Sequence, residues 1–341
     1  MAADYSLVNQ YLKPILPLFK IDGISEIMVN NYQNIFIEVK GKLEKTNVSF
    51  PDENAVTVLI EQIATATGQP CDPINHPIVD AKLKDGSRVC AILSSISSIG
   101  SALSIRVFNN YKLSFDDLIS FGSLNKEMVF LLKKAVEDKN NILISGSTGS
   151  GKTTFLNLLS VFIYPHERVV SAEDTAELKI KSTNWVPLIA PNRKTNKNDS
   201  QKVSLGSLIK TALRLNPDRL IVGEIRDFEA ASAFITAINT GHSGCFSTIH
   251  ANDPHDSLIR MQSLISQKGL SLDFCKLQIV NNINLIVQLK KVYDYGRVVT
   301  NISKIENGNI EVLWEFDLIS KIHVKNWSSK TKVVNKLKET T

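Results

Sequence analysis

The chain has 341 residues, 43% of them hydrophobic, with 39 basic against 34 acidic side chains and a net charge of +5. Such a composition excludes disorder throughout and leaves room for two domains with cores of their own, and the mild basic excess demands no nucleic-acid partner. The four cysteines, Cys71, Cys90, Cys245 and Cys275, form no C-x-x-C pair, so neither a disulfide nor a structural metal is expected.

The opening residues MAADYSLVNQ lack the charged start and apolar core of a signal peptide, and no run of about 18 apolar residues occurs, so no membrane span is expected. Residues 4–13 predict a short helix stopped by Pro14 and Pro17, with strands over 24–29 and 35–39 and a third after Lys40-Gly41. Pro51-Asp52-Glu53 opens a helix that places Val56, Leu59, Ile60, Ile63 and Ala64 on one face and ends at Gly68. Asp85-Gly86 reads as a hairpin turn, and residues 103–108 as a further strand. Residues 1–108 therefore read as a smaller α+β domain, and the break in pattern over 109–124 as a linker.

From 125 to 341 short apolar strands alternate with amphipathic helices, which indicates a single α/β nucleotide domain. Its clearest feature is Gly146-Ser147-Thr148-Gly149-Ser150-Gly151-Lys152-Thr153, which fills every required place of the phosphate-binding pattern G-x-x-x-x-G-K-[ST]. The apolar run Ile142-Leu143-Ile144 precedes it, and Phe155, Leu156, Leu158 and Leu159 follow at helical spacing. The glycines let backbone N–H groups turn inward around phosphate oxygens, and the helix that begins near Lys152 adds its positive end to that nest. Gly146 to Thr154 are thus the candidate ATP-binding residues. Lys152 would reach the outer phosphates, and Thr153 would ligate Mg²⁺.

Farther on, 169–172 reads as a strand that delivers Glu173-Asp174-Thr175 to its carboxyl end, where ligands of open parallel sheets bind. The segment 191–200 is polar and reads as a mobile loop. Leu208, Ile209, Ala212 and Leu213 make a helical face ended by Pro217, after which 220–224 reads as a buried strand ending in Gly223-Glu224. A helix over 228–239 leads to a strand bracketed by His242 and His250. His250 ends that strand beside the expected phosphate site, where a neutral imidazole could hydrogen-bond a phosphate or its partner acid. Asn307-Gly308 marks a hairpin between 298–305 and 310–314, and the last 21 residues, with six lysines, read as a solvated tail.

GSTGSGKTT, AEDTAEL, LRLNPDRLIVGEIRD and AINTGHSGCFSTIHAND, in this order, resemble the Walker A, Asp box, Walker B and His box of the type II/IV secretion ATPase superfamily. The spelling EDTAEL and the short N-terminal region look most like the hexameric traffic ATPases of type IV secretion and conjugation. The resemblance implies a RecA-like P-loop domain, with ATP as substrate and Mg²⁺ as cofactor. It also implies that Glu173 is the general base, that Glu224 completes the Mg²⁺ and water site, and that His250 senses the γ-phosphate. Arg88 and Arg106 stand at the positions from which the family's N-terminal domain brings arginines over the nucleotide, with Arg214, Arg219 and Arg226 as further candidates. The implied partners are five further copies of the chain and the inner-membrane proteins of a secretion or pilus machine, with the chain on the cytoplasmic face. Direct nucleic-acid binding is not expected. An assembly ATPase of a Flp-type or related pilus fits the same motifs, and a DNA-handling RecA-like motor is a further reading, because the basic loop 193–202 could touch phosphates.

Overall fold

The computed structural model describes residues 6–39, 42–108, 113–190, 203–267, 269–293 and 295–326, and the chain divides into two units, Met1–Lys112 and Leu113–Thr341. The first unit begins with α1 (Ser6–Leu12) and the meander β1 (Ile24–Val29), β2 (Ile35–Val39) and β3 (Lys42–Lys45). Asp52 starts α2 (Glu53–Thr67) by accepting a 2.8 Å hydrogen bond from the Ala55 amide. Gly68, at φ 70°, ends it in a left-handed conformation that glycine takes without strain. The apolar face expected for α2 is the buried one. β4 (Ile78–Lys82), β5 (Arg88–Ile92) and β6 (Ala102–Arg106) complete an antiparallel sheet in the order β3-β2-β1-β6-β5-β4.

Residues 109–112 of the expected linker lie outside the described residues, and 113–124 belong to the second unit. Composition hid a helix start there. Ser114 caps α3 (Phe115–Ser120) in a reciprocal pair with Asp117, and the Phe115 ring stacks on Phe162 at 4.7 Å between centroids.

The second unit continues with α4 (Lys126–Glu137), β7 (Ile142–Gly146), α5 (Lys152–Leu159), β8 (Val169–Glu173), β9 (Trp185–Ile189), α6 (Leu205–Leu213), β10 (Arg219–Ile225), α7 (Phe228–Asn239) and β11 (Phe246–Ile249). It ends with α8 (Pro254–Ser266), α9 (Leu272–Val280), β12 (Leu285–Val292), β13 (Gly296–Glu306), β14 (Asn309–Asp317) and β15 (Ile322–Lys325). The sheet order is β15-β14-β13-β12-β7-β11-β10-β8-β9, parallel from β12 through β9 and antiparallel from β12 through β15. β11 thus separates β7 from β10.

Alternate residues of β7 feed two cores, as a strand covered on both faces requires. Ile142 and Ile144 pack with Leu132 of α4 and Leu156 of α5, while Leu143 packs with residues of α6 to α9 such as Ile209, Phe234, Met261 and Ile279. The β13–β14 turn is Asn307-Gly308, both at positive φ (51° and 76°), as the twist of a two-residue hairpin demands.

Two strands depart from the sequence reading. β9 contains Pro187, which breaks a strand pattern but is tolerated at a sheet edge, where β9 lies. β15 occupies 322–325 of the stretch expected to be a tail, and Lys325 there reaches Glu127 at 2.8 Å. Residues 327–341 and the polar loop 191–202 fall outside the described residues. Among the described residues no helix is long and apolar enough to cross a membrane.

Candidate active site at the carboxyl end of the parallel strands

The candidate phosphate-binding loop leaves β7 at Gly146 and enters α5 at Lys152, and its glycines serve different needs. Gly149 and Gly151 stand at φ 71° and 94°, the left-handed region that disfavours any side chain. Gly146 is required for space, because a Cβ there would stand 2.5 Å from both the Leu289 carbonyl oxygen and Ser150 Oγ. Ser147 and Thr148 are exposed at the mouth of the loop, Ser150 is buried, Thr153 is half-buried and Thr154 is exposed. The Lys152 side chain is buried and folds back, its Nζ donating 2.9 Å hydrogen bonds to the carbonyl oxygens of Gly146 and Ser147.

Glu173 closes β8, 3% exposed, and its Oε1 accepts 2.9 Å hydrogen bonds from the amides of Glu177 and Leu178. On the neighbouring β10, a Cβ added at Gly223 would stand 3.1 Å from Glu173 Cγ. The glycine before Glu224 therefore leaves room for the other acid. We expect Gly223→Ala to displace the Glu173 carboxylate and lower kcat on the order of 10-fold, below the roughly 10²-fold that a misplacement of about 1 Å can cost. Nucleotide affinity should stay near wild type in an equilibrium binding titration; an unchanged kcat would contradict this account of Gly223.

Glu224 faces two partners: its Oε1 lies 2.6 Å from His250 Nε2, and its Oε2 2.6 Å from Arg226 Nη2. The other ring nitrogen, Nδ1, lies 3.4 Å from Lys152 Nζ. An ammonium can only donate, so Nδ1 carries the lone pair and Nε2 the proton, and Nε2 stands beside Glu224 Oε1 without the alignment of a hydrogen bond. Burial, followed by the charge of Lys152, holds the imidazole below its ordinary pKa, with Glu224 opposing, and this agrees with that neutral tautomer. The three motifs thus meet in one line of contacts, Lys152 to His250 to Glu224. Gln288 of β12 adds support by donating to the Ala251 carbonyl at 3.2 Å, just past His250.

Asp174, passed over in favour of its neighbour, also lies in this field. Burial pushes its carboxyl above the usual range, Arg226 pulls it down, and Asp227 and Glu224 push it up. Arg226, exposed in its side chain, is held further in its charged form mainly by Glu224.

Arg219, a further candidate for the site, is not part of it. It begins β10, five residues and thus about 16 Å from Glu224 at the strand's far end. There it is fully buried, with Nη2 2.9 Å from Glu167 Oε2, and Lys139 lies 3.3 Å from the other Glu167 oxygen. Burial pushes the Glu167 carboxyl up, but Arg219 and Lys139 together hold it below the usual range. His242 sits at that same remote end, its Nδ1 3.3 Å from the Ala237 carbonyl oxygen. Arg214 is the C-terminal cap of α6.

In the first unit, Arg88 and Arg106 are direct partners across β5 and β6, and Arg106 is in turn opposite Glu26 of β1. Arg88 is half-buried and Arg106 exposed, on the sheet face away from the buried Val89 and Ile105. The two guanidiniums thus share one rung of one sheet face.

The model of the family described as type II/IV secretion system protein matches residues 9–302. The chain belongs to this family. It is 34% identical over 254 residues to the conjugal transfer protein TrbB of Rhizobium radiobacter, covering 73% of this chain and 74% of that one. It is 28% identical over 330 residues to the type IV secretion system protein VirB11 of Bartonella henselae, covering 84% and 90%. An uncharacterised protein of Methanocaldococcus jannaschii is 41% identical over 65% of this chain, which spans 31% of that protein's length. Among solved structures, the ATPase DotB of Legionella pneumophila shares the fold with a TM-score of 0.63 at 21% identity, over 88% of this chain and 81% of that one.

Proposed function

We propose that this member of the family is an ATP-hydrolysing motor for type IV secretion or conjugative transfer, working as a homo-hexamer on the cytoplasmic face of the inner membrane. The observation that carries this reading is the contact line from Lys152 through His250 to Glu224, which joins the phosphate loop to an acid able to handle water. The conjugal transfer and type IV secretion relatives support the choice of machine.

In this reading Lys152 exchanges its two loop carbonyls for phosphate oxygens and offsets charge that develops as water attacks the γ-phosphate in line. Glu173 accepts the water's proton, and Glu224, held by His250 and Arg226, orients that water. The Thr153 hydroxyl and the Glu224 carboxylate are hard oxygen donors that fit Mg²⁺, and with both Glu224 oxygens already facing cations or donors, the carboxylate would reach the ion through water. When bound, Mg²⁺ supplies further neutralisation of phosphate charge.

Arg88 and Arg106 act in this reading on the transition state, in which charge spreads over the equatorial oxygens. Arg88→Ala and Arg106→Ala are each expected to lower kcat roughly 10²-fold or more, with nucleotide affinity near normal. Removal of residues 1–108 should do the same. A truncated chain that hydrolyses ATP at the full-length rate would return both arginines to the status of surface charges. Native mass spectrometry with nucleotide tests the ring, with six copies expected.

A further inference from the structure

One side chain touches the phosphate loop from a part of the chain that no motif marks. Arg297, in the second position of β13, donates from Nε to the Gly149 carbonyl oxygen at 2.8 Å. Its own backbone is fixed as well. Ser123 Oγ donates to the Arg297 carbonyl oxygen at 2.6 Å, the Val299 amide donates to the Ser123 carbonyl oxygen at 2.9 Å, and Tyr295 Oη donates to the Gly122 carbonyl oxygen at 3.1 Å. The guanidinium therefore springs from a strand held on both sides, with β12 paired along its other edge.

The consequence follows from peptide geometry. In a trans, planar peptide the C=O and the N–H point in opposite directions, so fixing the Gly149 carbonyl toward Arg297 turns the Ser150 N–H away from it. Gly149 tolerates either orientation of the peptide that follows it, because glycine occupies both halves of backbone space. Nothing in the glycine itself selects the orientation in which the Ser150 N–H joins the anion nest. We infer that Arg297 is a positioning residue for nucleotide binding: its Nε–H holds the Gly149–Ser150 peptide so that the Ser150 amide, which here donates to the Ser147 carbonyl oxygen at 3.3 Å, faces the same oxygen as Lys152 Nζ and can pass with it to the phosphates. This inference rests on the reading of the loop as an ATP site. Preorganisation of this kind lowers the cost of ordering on binding and acts on ground and transition states alike.

The test uses two side chains that match arginine as far as the donor atom. Methionine puts a methyl group where Nε stands, and glutamine puts an amide nitrogen there without the charge. In full-length protein, affinity for the non-hydrolysable analogue AMP-PNP with Mg²⁺ is measured by calorimetry, alongside steady-state ATP turnover. Arg297→Met should weaken analogue binding and raise KM about tenfold, within the usual worth of a hydrogen bond, with kcat nearly unchanged. Arg297→Gln should stay within about threefold of wild type, since the hydrogen bond and not the charge sets the peptide. Equal losses in the two variants, or no loss in Arg297→Met, would overturn the inference. Wild-type protein that fails to bind the analogue would instead overturn the ATP-site reading beneath it.

Discussion

Lys152→Ala is expected to reduce ATP turnover by roughly 10³-fold or more, to the background of the assay, while the protein stays folded. The loop keeps its shape without this side chain because glycine backbone at positions 149 and 151, and the tight fit of Gly146, set its path. What the variant removes is charge at the phosphates and the cation beside His250 Nδ1. The carbonyls of Gly146 and Ser147 lose a donor, yet a buried ammonium also loses its desolvation cost, so the net change in stability should be about 1 kcal/mol or less. Thermal unfolding and phosphate release on one preparation check both parts. Wild-type turnover in Lys152→Ala would sink the assignment of this loop.

Glu173→Gln and Glu224→Gln should each bind ATP and hydrolyse it roughly 10²-fold to 10⁴-fold more slowly, because an amide keeps the size of the side chain but takes up no proton. Local structure predicts that both variants fold. A glutamine at 173 still offers one carbonyl oxygen to the amides of Glu177 and Leu178. At 224 the amide oxygen can stay beside His250 Nε2, but the amide nitrogen faces Arg226, donor against donor, so the arginine should swing into solvent. Nucleotide affinity and single-turnover rates separate binding from chemistry in both. If Glu173→Gln turned over normally, the proton would have to go to Glu224.

The site was legible in the sequence where backbone conformation or strand position dictates the residue. The loop glycines are spelled out by left-handed φ and by lack of room, and Glu173 and Glu224 by their place at the ends of apolar strands that pair side by side in the sheet. His250 was legible for the same reason, as the residue after β11. Arg297 was not, because it reaches the loop from 148 residues away, on a strand whose spelling concerns only its own hairpin. Arg219 misled because an arginine five residues before an acid looks the same whether it points to the phosphates or to a buried carboxylate at the opposite end of the strand. Glu173 was ranked above Asp174 through the family resemblance alone, and it is the fold that shows the first clasped by amides and the second lying among charges. In the fold, β9 and β15 escaped notice because Pro187 and the lysine-rich surroundings of residue 322 argue locally against strands that their neighbours in the sheet impose.

The most direct measurement is phosphate release by the purified full-length chain as a function of ATP concentration, with Mg²⁺ and with the ion chelated. The account predicts saturable turnover that requires Mg²⁺ and disappears in Lys152→Ala. A full-length protein that is folded and binds ATP, yet releases no phosphate above the Lys152→Ala background at saturating Mg²⁺-ATP, would contradict it.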